Sequence, residues 1–241
     1  MPHSPSSPAP LPQGGEGSVE SRSETSGVNA KLRITEIFYS IQGESSRVGL
    51  PTVFVRLTGC PLRCVWCDTE YAFTGGEIID VGTALKQIAA FGCKTVCVTG
   101  GEPLAQQSCL DLLTALCDEA YSVSLETSGA LDVSGVDPRV AKIMDIKAPD
   151  SGESARNRWE NLEHLTPQDE LKFVLASEAD YLWAKEAVNT RALADYYAVL
   201  FSPVPNLLAP AQLAEWVLRD RLPVRFQLQL HKVLWGSVTG R

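Results

Sequence analysis

Three cysteines lie close together in the chain: Cys60, Cys64 and Cys67 form a C-x3-C-x2-C pattern. Three thiolates on one loop can bind a single metal centre. A structural zinc site takes four ligands, usually as two separated pairs, and the chain has no second C-x2-C pair. On a [4Fe–4S] cluster, three cysteine ligands leave one iron open, unlike the usual four-cysteine arrangement. The spacing therefore favours an open iron–sulfur cluster, with a zinc site or plain buried thiols as the alternatives.

The other cysteines do not share this spacing, and we expect them to be small buried apolar residues. The N-terminus has no apolar segment typical of a signal peptide. Seven cysteines are an odd number in a chain too long to need disulfides, so we expect a cytoplasmic protein with reduced thiols. The four remaining cysteines are Cys93, Cys97, Cys109 and Cys117.

Two further groups of residues follow predicted strands, as the cysteine loop follows the strand Pro51–Leu57. Gly100-Gly101-Glu102-Pro103 comes after the predicted strand Thr95–Thr99; its glycines allow a close backbone approach, and its carboxylate can accept from an ammonium group. Asp145-Ile146-Lys147 lies at the end of a later strand. Because α/β folds place their chemistry at the carboxyl ends of parallel strands, we expect all three groups at one edge.

The strands and helices that must position these groups alternate along the chain from Lys31 onward. This alternation indicates an α/β fold with a parallel sheet. A complete eightfold barrel needs ~250 residues. We therefore predict a partial, open β/α barrel of about six units, with a doubly wound sheet as the alternative. Strands are predicted at Leu32–Tyr39, Pro51–Leu57, Thr95–Thr99, Ser122–Glu126, Ala141–Ile146, Glu170–Ala176, Tyr196–Phe201 and Val224–Leu230, and helices at Val81–Phe91, Gln106–Ala120, Arg156–Leu165, Glu178–Asn189 and Pro210–Arg219.

Composition separates a tail from a single core domain. Residues 1–30 hold five Pro, seven Ser and four Gly without an aromatic residue, so we predict a disordered tail before a core of residues 31–241. The net charge of −8 argues against a nucleic-acid partner. No apolar run approaches the ~20 residues that cross a bilayer, so we expect no membrane partner.

The cysteine pattern, with Trp66 before the last cysteine, resembles the radical S-adenosylmethionine (SAM) superfamily, and the Gly-Gly-Glu-Pro stretch supports the same resemblance. The resemblance implies a [4Fe–4S] cluster held by Cys60, Cys64 and Cys67, with SAM on its open iron. It also implies that the cluster and SAM carry the radical chemistry, so no protein side chain is assigned as catalytic. The implied SAM-binding residues are Trp66, Gly101, Glu102, Asp145, Ile146 and Lys147.

Within that superfamily the chain resembles the 7-carboxy-7-deazaguanine synthase family. The resemblance rests on the opening stretch 34–44, which ends in Ile-Gln-Gly-Glu, on Cys67-Asp68-Thr69, and on the closing His231-Lys232-Val233-Leu234-Trp235. It implies a lyase that converts 6-carboxy-5,6,7,8-tetrahydropterin to 7-carboxy-7-deazaguanine with loss of ammonia. The implied pathways are queuosine biosynthesis, hence tRNA modification, and deazapurine metabolism. Magnesium is an implied cofactor.

Several residues have side chains that are chemically suited to bind the pterin. The amide of Gln42 can pair with the ring edge, the planar fork of Arg56 suits the carboxylate, and Glu126 can accept from a ring N–H. A structural carboxylate at Glu126, an ordinary half-buried histidine at His231 and a turn-capping Thr69 are the alternatives. The resemblance makes Thr69 a magnesium ligand. The implied substrate-binding residues are Ile41, Gln42, Gly43, Glu44, Arg56, Thr99, Glu126 and His231.

Two other functions remain open at this stage: a glycyl-radical-activating enzyme, which would act on a protein partner, and a non-enzymatic zinc-binding module. The Ile-Gln-Gly-Glu loop and the Cys-Asp-Thr tripeptide favour the small-molecule enzyme. The resemblance further implies a flavodoxin- or ferredoxin-type reductant and a homodimer.

Overall fold

The structure, a computed structural model, describes residues 27–236 and 238–241. In these residues the strands form one nine-stranded sheet in the order β3-β1-β2-β4-β5-β6-β7-β8-β9. The strands are β1 (Lys31–Ile41), β2 (Pro51–Leu57), β3 (Glu77–Asp80), β4 (Thr95–Gly100), β5 (Ser122–Thr127), β6 (Ala141–Lys147), β7 (Glu170–Leu175), β8 (Ala198–Pro203) and β9 (Arg225–Phe226).

The sheet is mainly parallel and open. Strand β1 pairs antiparallel with both β2 and β3, whereas β2 and β4 to β9 run parallel to one another. The two edge strands of the described sheet, β3 and β9, are not neighbours, so the sheet does not close. The predicted open α/β barrel is confirmed; β9, at two residues, adds one short strand beyond the six longer parallel ones.

Helices cover the outer face of this sheet, apart from the last helix of the chain, which contacts the loop after β1. Local sequence fixes two of their starts: the Asp80 side chain accepts from the backbone N–H of Thr83 at 2.6 Å, and Pro210 stands in the first turn of the helix that it begins. The helices are α1 (Val81–Ala89), α2 (Cys109–Asp118), α3 (Glu178–Thr190), α4 (Leu193–Tyr196), α5 (Pro210–Asp220) and α6 (Leu230–Trp235).

Two hydrophobic clusters lie between the helices and the sheet. The first packs α1 and α2 on β1, β2, β4 and β5, and includes Leu113 and Leu116. The second packs α3, α4 and α5 on β6, β7 and β8. In the second cluster the ring of Phe201 contacts Phe173 and Tyr181 edge-on, at centroid distances of 5.4 and 6.3 Å. The helical face of the sheet is therefore the hydrocarbon core of the domain.

The predicted helix Arg156–Leu165 is wrong. That segment contains the short 3-10 turns Ser154–Arg156 and Trp159–His164. Two side-chain amides hold the segment against neighbouring loops: Asn157 pairs with the backbone of Lys147, and Asn161 donates to Gly129 and Leu131 carbonyls at 2.9 and 2.8 Å. These contacts with distant loops hold the segment in short turns, and no sequence pattern indicated them.

The C-terminal prediction also needs correction. The expected strand Val224–Leu230 pairs only over Arg225–Phe226, and Leu230 begins α6 instead. The backbone N–H of Leu230 donates to the Gly43 carbonyl at 2.9 Å, so a contact remote in sequence fixes this helix start. Strand β3 was not predicted; its four residues pair with the first residues of β1.

The predicted tail, residues 1–30, lies almost wholly outside the described residues. Its last four residues contact the core: Ala30 accepts from the Val81 N–H at 3.0 Å and donates to the Gly27 carbonyl at 3.1 Å. A Cβ at Gly82 would lie 2.8 Å from Val28. The ordered domain therefore begins no later than Gly27.

Across residues 27–236 and 238–241, no helix combines the length and the apolar character needed to cross a membrane.

Candidate active site

A cavity of about 820 Å³ opens on the inward face of the sheet, toward the carboxyl ends of its parallel strands. This volume lies within the range of ~300–1,000 Å³ typical of ligand sites. Most residues singled out from the sequence line it. They are Ile41, Gln42, Gly43, Glu44, Arg56, Cys60, Cys64, Trp66, Cys67, Thr69, Thr99, Gly101, Glu126, Asp145, Lys147 and His231. The two exceptions are Glu102 and Ile146.

The three clustered cysteines lie on the loop that leaves β2, and all three are free, half-buried and cavity-lining. The other four point elsewhere. Cys97 and Cys109 are fully buried, as expected. Cys93 and Cys117 are only partly buried at the edge of the first cluster, which corrects the expectation of full burial.

The cysteine loop fits an iron–sulfur cluster. Burial raises the pKa of the Cys60 and Cys64 thiols, while the nearby Lys147 ammonium acts in the opposite direction at both. In the described part of the chain, no three His, Cys, Asp or Glu side chains converge on one ion. A cubane does not require such convergence, because each thiolate binds a different iron. The loop therefore offers three ligands and leaves the fourth iron to a non-protein ligand.

The two glycines after β4 allow this turn to approach the cysteine loop. A Cβ at Gly101 would lie 2.2 Å from the Gly59 carbonyl oxygen, and one at Gly100 would lie 2.3 Å from that of Leu57. Two backbone bonds join the segments: Gly101 donates to Leu57 at 3.1 Å and Glu102 donates to Gly59 at 2.8 Å. The backbone of Gly100 and Gly101 thereby forms cavity wall beside Cys60.

The Glu102 carboxylate does not face the cavity. It is fully buried and accepts from the Leu104 N–H at 3.1 Å, the Thr127 hydroxyl at 2.9 Å, and the N–H and hydroxyl of Ser128. These bonds tie the turn after β4 to the end of β5. The expected direct contact of this carboxylate with an ammonium group is corrected to a structural role, because its lone pairs are already engaged.

Strand alternation separates the three residues that end β6. Ile146 is buried in the second hydrophobic cluster, so its side chain points toward the helices rather than the cavity. Asp145 and Lys147 face inward and form an ion pair of 3.1 Å. Ile146 can therefore reach a ligand in the cavity only through its backbone.

Lys172 on β7 was missed by the sequence analysis. Its ammonium contacts the Glu44 carboxylate closely and lies 3.3 Å from Asp145. Gln229 donates to the other Glu44 oxygen at 2.7 Å. Burial lowers the pKa of Lys172, but attraction to Glu44 and Asp145 outweighs it and the pKa is raised, so the ammonium remains charged. A lysine inside an apolar strand was the available signal.

Glu126 lies deep in the same wall. Its two oxygens accept from Gln42 Nε2 at 3.4 Å and from the Thr99 hydroxyl at 3.2 Å, both long hydrogen bonds. Burial raises the pKa of this carboxyl against the opposing attraction of Lys172 and Arg56. Gln42, Thr99 and Glu126 therefore form one polar patch whose weak internal bonds leave it able to bind a ring edge.

Arg56 emerges from β2 between two aromatic rings. Its guanidinium carbon lies 5.6 Å from the Phe38 ring centroid and 5.8 Å from that of Tyr71. Arg56 Nε donates to Glu36 Oε1 at 2.7 Å, and the same oxygen accepts from the Tyr71 hydroxyl at 2.8 Å. Arg56 is thus a buried, aromatic-flanked cation in the cavity wall, already paired with one carboxylate.

The Cys-Asp-Thr segment meets the C-terminal helix. Thr69 donates to Asp68 Oδ1 at 3.1 Å and makes no side-chain cap bond to the turn that follows. Lys232 pairs with Asp68 at 2.7 Å, and His231 lies 3.9 Å from the same carboxylate. A Cβ at Gly43 would lie 2.3 Å from His231 Nδ1, so glycine there admits α6.

Two cavity-lining segments escaped the sequence analysis. One follows β8 and the other ends the chain, and neither carries a residue type that marks a site by itself. The parallel topology was the available signal for the first, since the loop after each parallel strand reaches the same edge. The residues are Val204, Pro205 and Asn206 in the first, and Gly236, Val238, Thr239, Gly240 and Arg241 in the second.

Comparison with known proteins agrees with this geometry. Residues 54–148, which include the cysteine loop and both strand-end motifs, match the Radical SAM superfamily model. Enzymes of that superfamily use a [4Fe–4S] cluster and S-adenosylmethionine.

Relatives and a solved structure cover nearly the whole chain. The 7-carboxy-7-deazaguanine synthase of Chlorobaculum tepidum is 50% identical over 86% of this chain and 96% of its own. That of Koribacter versatilis is 42% identical over 86% of this chain and 99% of its own. The crystal structure of QueE from Escherichia coli shares the fold, with a TM-score of 0.73 and 22% identity over 88% of this chain and all of that one. The chain belongs to the 7-carboxy-7-deazaguanine synthase family of radical SAM lyases.

Proposed function

We propose that the chain converts 6-carboxy-5,6,7,8-tetrahydropterin to 7-carboxy-7-deazaguanine with loss of ammonia, in the pathway to queuosine and other deazapurines. One observation carries the proposal: a single cavity combines the three-cysteine loop with a paired arginine, an amide and a buried carboxyl. The cluster and SAM, when bound, supply the radical that removes the hydrogen atom at C6 of the substrate. The chain itself must bind, orient and shield the reactants.

Arg56, Gln42, Thr99 and Glu126 are the residues we assign to the substrate. Arg56 provides a fixed cation for the carboxylate, whose charge would otherwise be costly to bury. Gln42 and Thr99 can exchange their long bonds to Glu126 for bonds to the pterin edge. Glu126 then accepts from a ring N–H, which stabilises its ionised form in a site where burial has raised its pKa.

A second group of cavity-lining residues suits SAM. Cys60, Cys64 and Cys67 would hold the cluster, and the Gly100 and Gly101 backbone lies beside Cys60. The inward carboxylate of Asp145 can accept from an ammonium, although it already pairs with Lys147 and Lys172. Trp66 offers an aromatic surface next to the cluster loop. We assign Ile146 and Glu102 to the support of this wall rather than to direct side-chain contact.

Thr69 is our proposed magnesium ligand. Mg²⁺ takes oxygen ligands and commonly keeps several waters, so a single hydroxyl with substrate oxygens meets its needs. Thr69 lines the cavity and its hydroxyl makes no cap bond, which supports this role over that of a turn cap. Asp68 lies 3.1 Å from that hydroxyl and can order the metal's waters.

The partners and setting follow from the same assignment. A cluster that is reduced for each activation needs a one-electron donor, and we propose a flavodoxin- or ferredoxin-type protein. We also propose a homodimer and a cytoplasmic location, where reduced thiols persist.

The deciding experiment is anaerobic turnover with SAM, reductant, Mg²⁺ and 6-carboxytetrahydropterin, read by product mass. We expect a product that has lost ammonia and retained the carboxylate. A parallel incubation with a glycyl-radical enzyme as the only substrate tests the alternative; a glycyl radical there, without pterin conversion, would contradict the proposal.

A further inference from the structure

Glu36 contacts the cavity-lining Arg56 but does not itself line the cavity. The two residues face each other across the antiparallel β1–β2 pair. The register of that pair shifts between Ile34 and Glu36, immediately before this position. Irregularities of this kind re-aim a side chain within a sheet. The backbone of β1 is thus adjusted at the point where it delivers a carboxylate to Arg56.

The contact made by Glu36 determines which edge of the guanidinium is available. An arginine carries five N–H donors, one on Nε and four on the terminal nitrogens. Glu36 Oε1 takes the Nε donor at 2.7 Å, so the Nε edge faces the protein. The two terminal nitrogens remain as the pair that can meet a carboxylate in the cavity end-on.

Tyr71 holds the acceptor oxygen in place. Its hydroxyl donates to the same Glu36 oxygen at 2.8 Å, and its ring lies near the guanidinium, as does that of Phe38. Burial raises the pKa of Tyr71 to about 12, so the phenol stays neutral and remains a donor at physiological pH. The Arg56 and Glu36 side chains are 15% and 22% exposed, so water competes little for their pairing.

We infer that Glu36 and Tyr71 are positioning residues that aim the terminal nitrogens of Arg56 at the substrate carboxylate. They make the site selective for a carboxylated ring over one that lacks the carboxylate. This inference rests on the proposed function, because it takes Arg56 as the carboxylate-binding residue. A merely structural ion pair would affect both kinds of ring alike, which separates the two roles by experiment.

The test is equilibrium binding to the cluster-loaded, SAM-bound enzyme without reductant, so that no turnover occurs. The two ligands are 6-carboxytetrahydropterin and tetrahydropterin without the carboxylate. The variants are Glu36→Gln and Tyr71→Phe. For Glu36→Gln we expect about a tenfold loss of affinity for the carboxylated ligand. For Tyr71→Phe we expect a smaller loss in the same direction, and no change for the other ligand in either variant.

A double-mutant cycle and a matched control complete the design. In an Arg56→Lys background, Glu36→Gln should cause no further loss, because the residue that it orients is gone. Asp137→Asn is the control: it breaks an arginine–carboxylate pair of 2.9 Å at the surface, and should alter neither affinity. In steady state, Glu36→Gln should raise the KM for the pterin and leave kcat and SAM affinity unchanged.

Each outcome has one meaning. Equal loss for both ligands would overturn the inference and make Glu36 a structural residue. Selective loss in Arg56→Lys but none in Glu36→Gln or Tyr71→Phe would overturn it and leave Arg56 as the carboxylate ligand. If Arg56→Lys still prefers the carboxylated ligand as strongly as the parent does, Arg56 does not bind the carboxylate and the inference is overturned. Turnover of the pterin would still support the proposed reaction. If Glu36→Gln fails to fold, Tyr71→Phe decides alone.

Discussion

The two faces of the same strands are built on different physical principles. On β7 the outward residues Leu171, Phe173 and Leu175 are fully buried against the helices. The inward residue Lys172 is almost as buried, yet it meets carboxylates rather than hydrocarbon. The outward face gains stability from the burial of apolar area and close packing. The inward face depends on each charge having its partner.

This difference explains how the cavity can be recognised in a parallel sheet. Strands covered on both faces read as nearly continuous hydrophobic runs. In β2 and β7 a charged residue within such a run, Arg56 and Lys172 respectively, lies on the face that lines the cavity. The predictions below alter one face at a time, and the largest expected effect comes first.

Removing a cluster ligand should abolish function while leaving the outer face intact. We expect Cys64→Ala to lose iron and all activity, because the remaining two thiolates cannot hold the cluster. Cys93→Ala, at the edge of the first hydrophobic cluster, is the matched control and should keep both. Iron analysis and the brown absorbance of anaerobically purified protein measure the outcome. An iron-replete, active Cys64→Ala protein would show that the cluster lies elsewhere.

A neighbouring pair on β7 compares the two faces directly. Phe173→Ala should destabilise the fold by about 3–5 kcal/mol, through lost burial and a cavity. Lys172→Met should also cost about 3–5 kcal/mol, because it leaves the buried Glu44 without its cation and leaves Asp145 with Lys147 alone.

The pH dependence of the two losses should differ. Burial raises the pKa of the Asp145 carboxyl, but Lys147 and Lys172 together hold that pKa below its usual range. Without Lys172 the folded-state pKa rises, so stability is lost at neutral pH, and the loss is recovered as this carboxyl protonates. The deficit of Lys172→Met should therefore shrink on acidification, and that of Phe173→Ala should not. Urea unfolding of both variants at several pH values provides the measurement. Identical pH profiles would mean that Lys172 contributes through packing alone.

How much of the fold and of the site could be predicted from the sequence differs between the two faces of the sheet. The strands β2 and β4 to β8 were located, because their outward residues are apolar at strand spacing and need no partner to be recognised. The cysteine loop and the Gly-Gly-Glu-Pro turn were located because their spacing is local. Lys172 was missed because its partner Glu44 is far away in sequence.

The same distance dependence explains the misassigned roles. Glu102 has the residue type of an ammonium acceptor, yet residues about 25 positions later engage both its oxygens. Gly43 was assigned to the substrate and does line the cavity, but a Cβ there would also meet His231 of the C-terminal helix, a contact that the sequence did not indicate. Residue type and spacing indicate which groups reach the carboxyl edge, whereas tertiary packing decides which way each group points.

Loss of the Thr69 hydroxyl tests the inward face near the cluster. We expect Thr69→Ala and Thr69→Val to need about tenfold more magnesium for half-maximal turnover, as is common when a metal contact is lost. Thr69→Ser keeps the hydroxyl and should respond like the parent. SAM binding without reductant should be equal in all of them. A parental magnesium response in both hydroxyl-free variants would assign the metal to another residue.

A substitution at Glu126 should have a smaller effect and should raise stability rather than lower it. Burial raises its folded-state pKa above the unfolded value, so its contribution to stability is present below the unfolded pKa and is lost as pH rises through the folded pKa. Glu126→Gln removes the titration and retains amide groups near Gln42 and Thr99. We expect its Tm to exceed the parental Tm at pH 8, and the gap to close toward pH 4. A constant gap would exclude titration as the cause, while substrate affinity should fall at every pH.

The smallest effect is expected from a segment that belongs to neither face. Residues 1–26 have no apolar periodicity and no candidate ligand, so their removal should take nothing from the helical core or from the cavity. Residues 27–30 differ, since Ala30 bonds to the Gly27 carbonyl and to the start of α1 at Val81.

A chain beginning at Gly27 should therefore keep the parental Tm and turnover, whereas one beginning at Lys31 should unfold at lower temperature because α1 loses the Ala30 carbonyl as a partner. Thermal unfolding and turnover of both truncated chains measure this. A drop in Tm for the chain that begins at Gly27 would mean that the N-terminal segment packs on the domain, and a drop in turnover at constant Tm would mean that it contributes to the cavity.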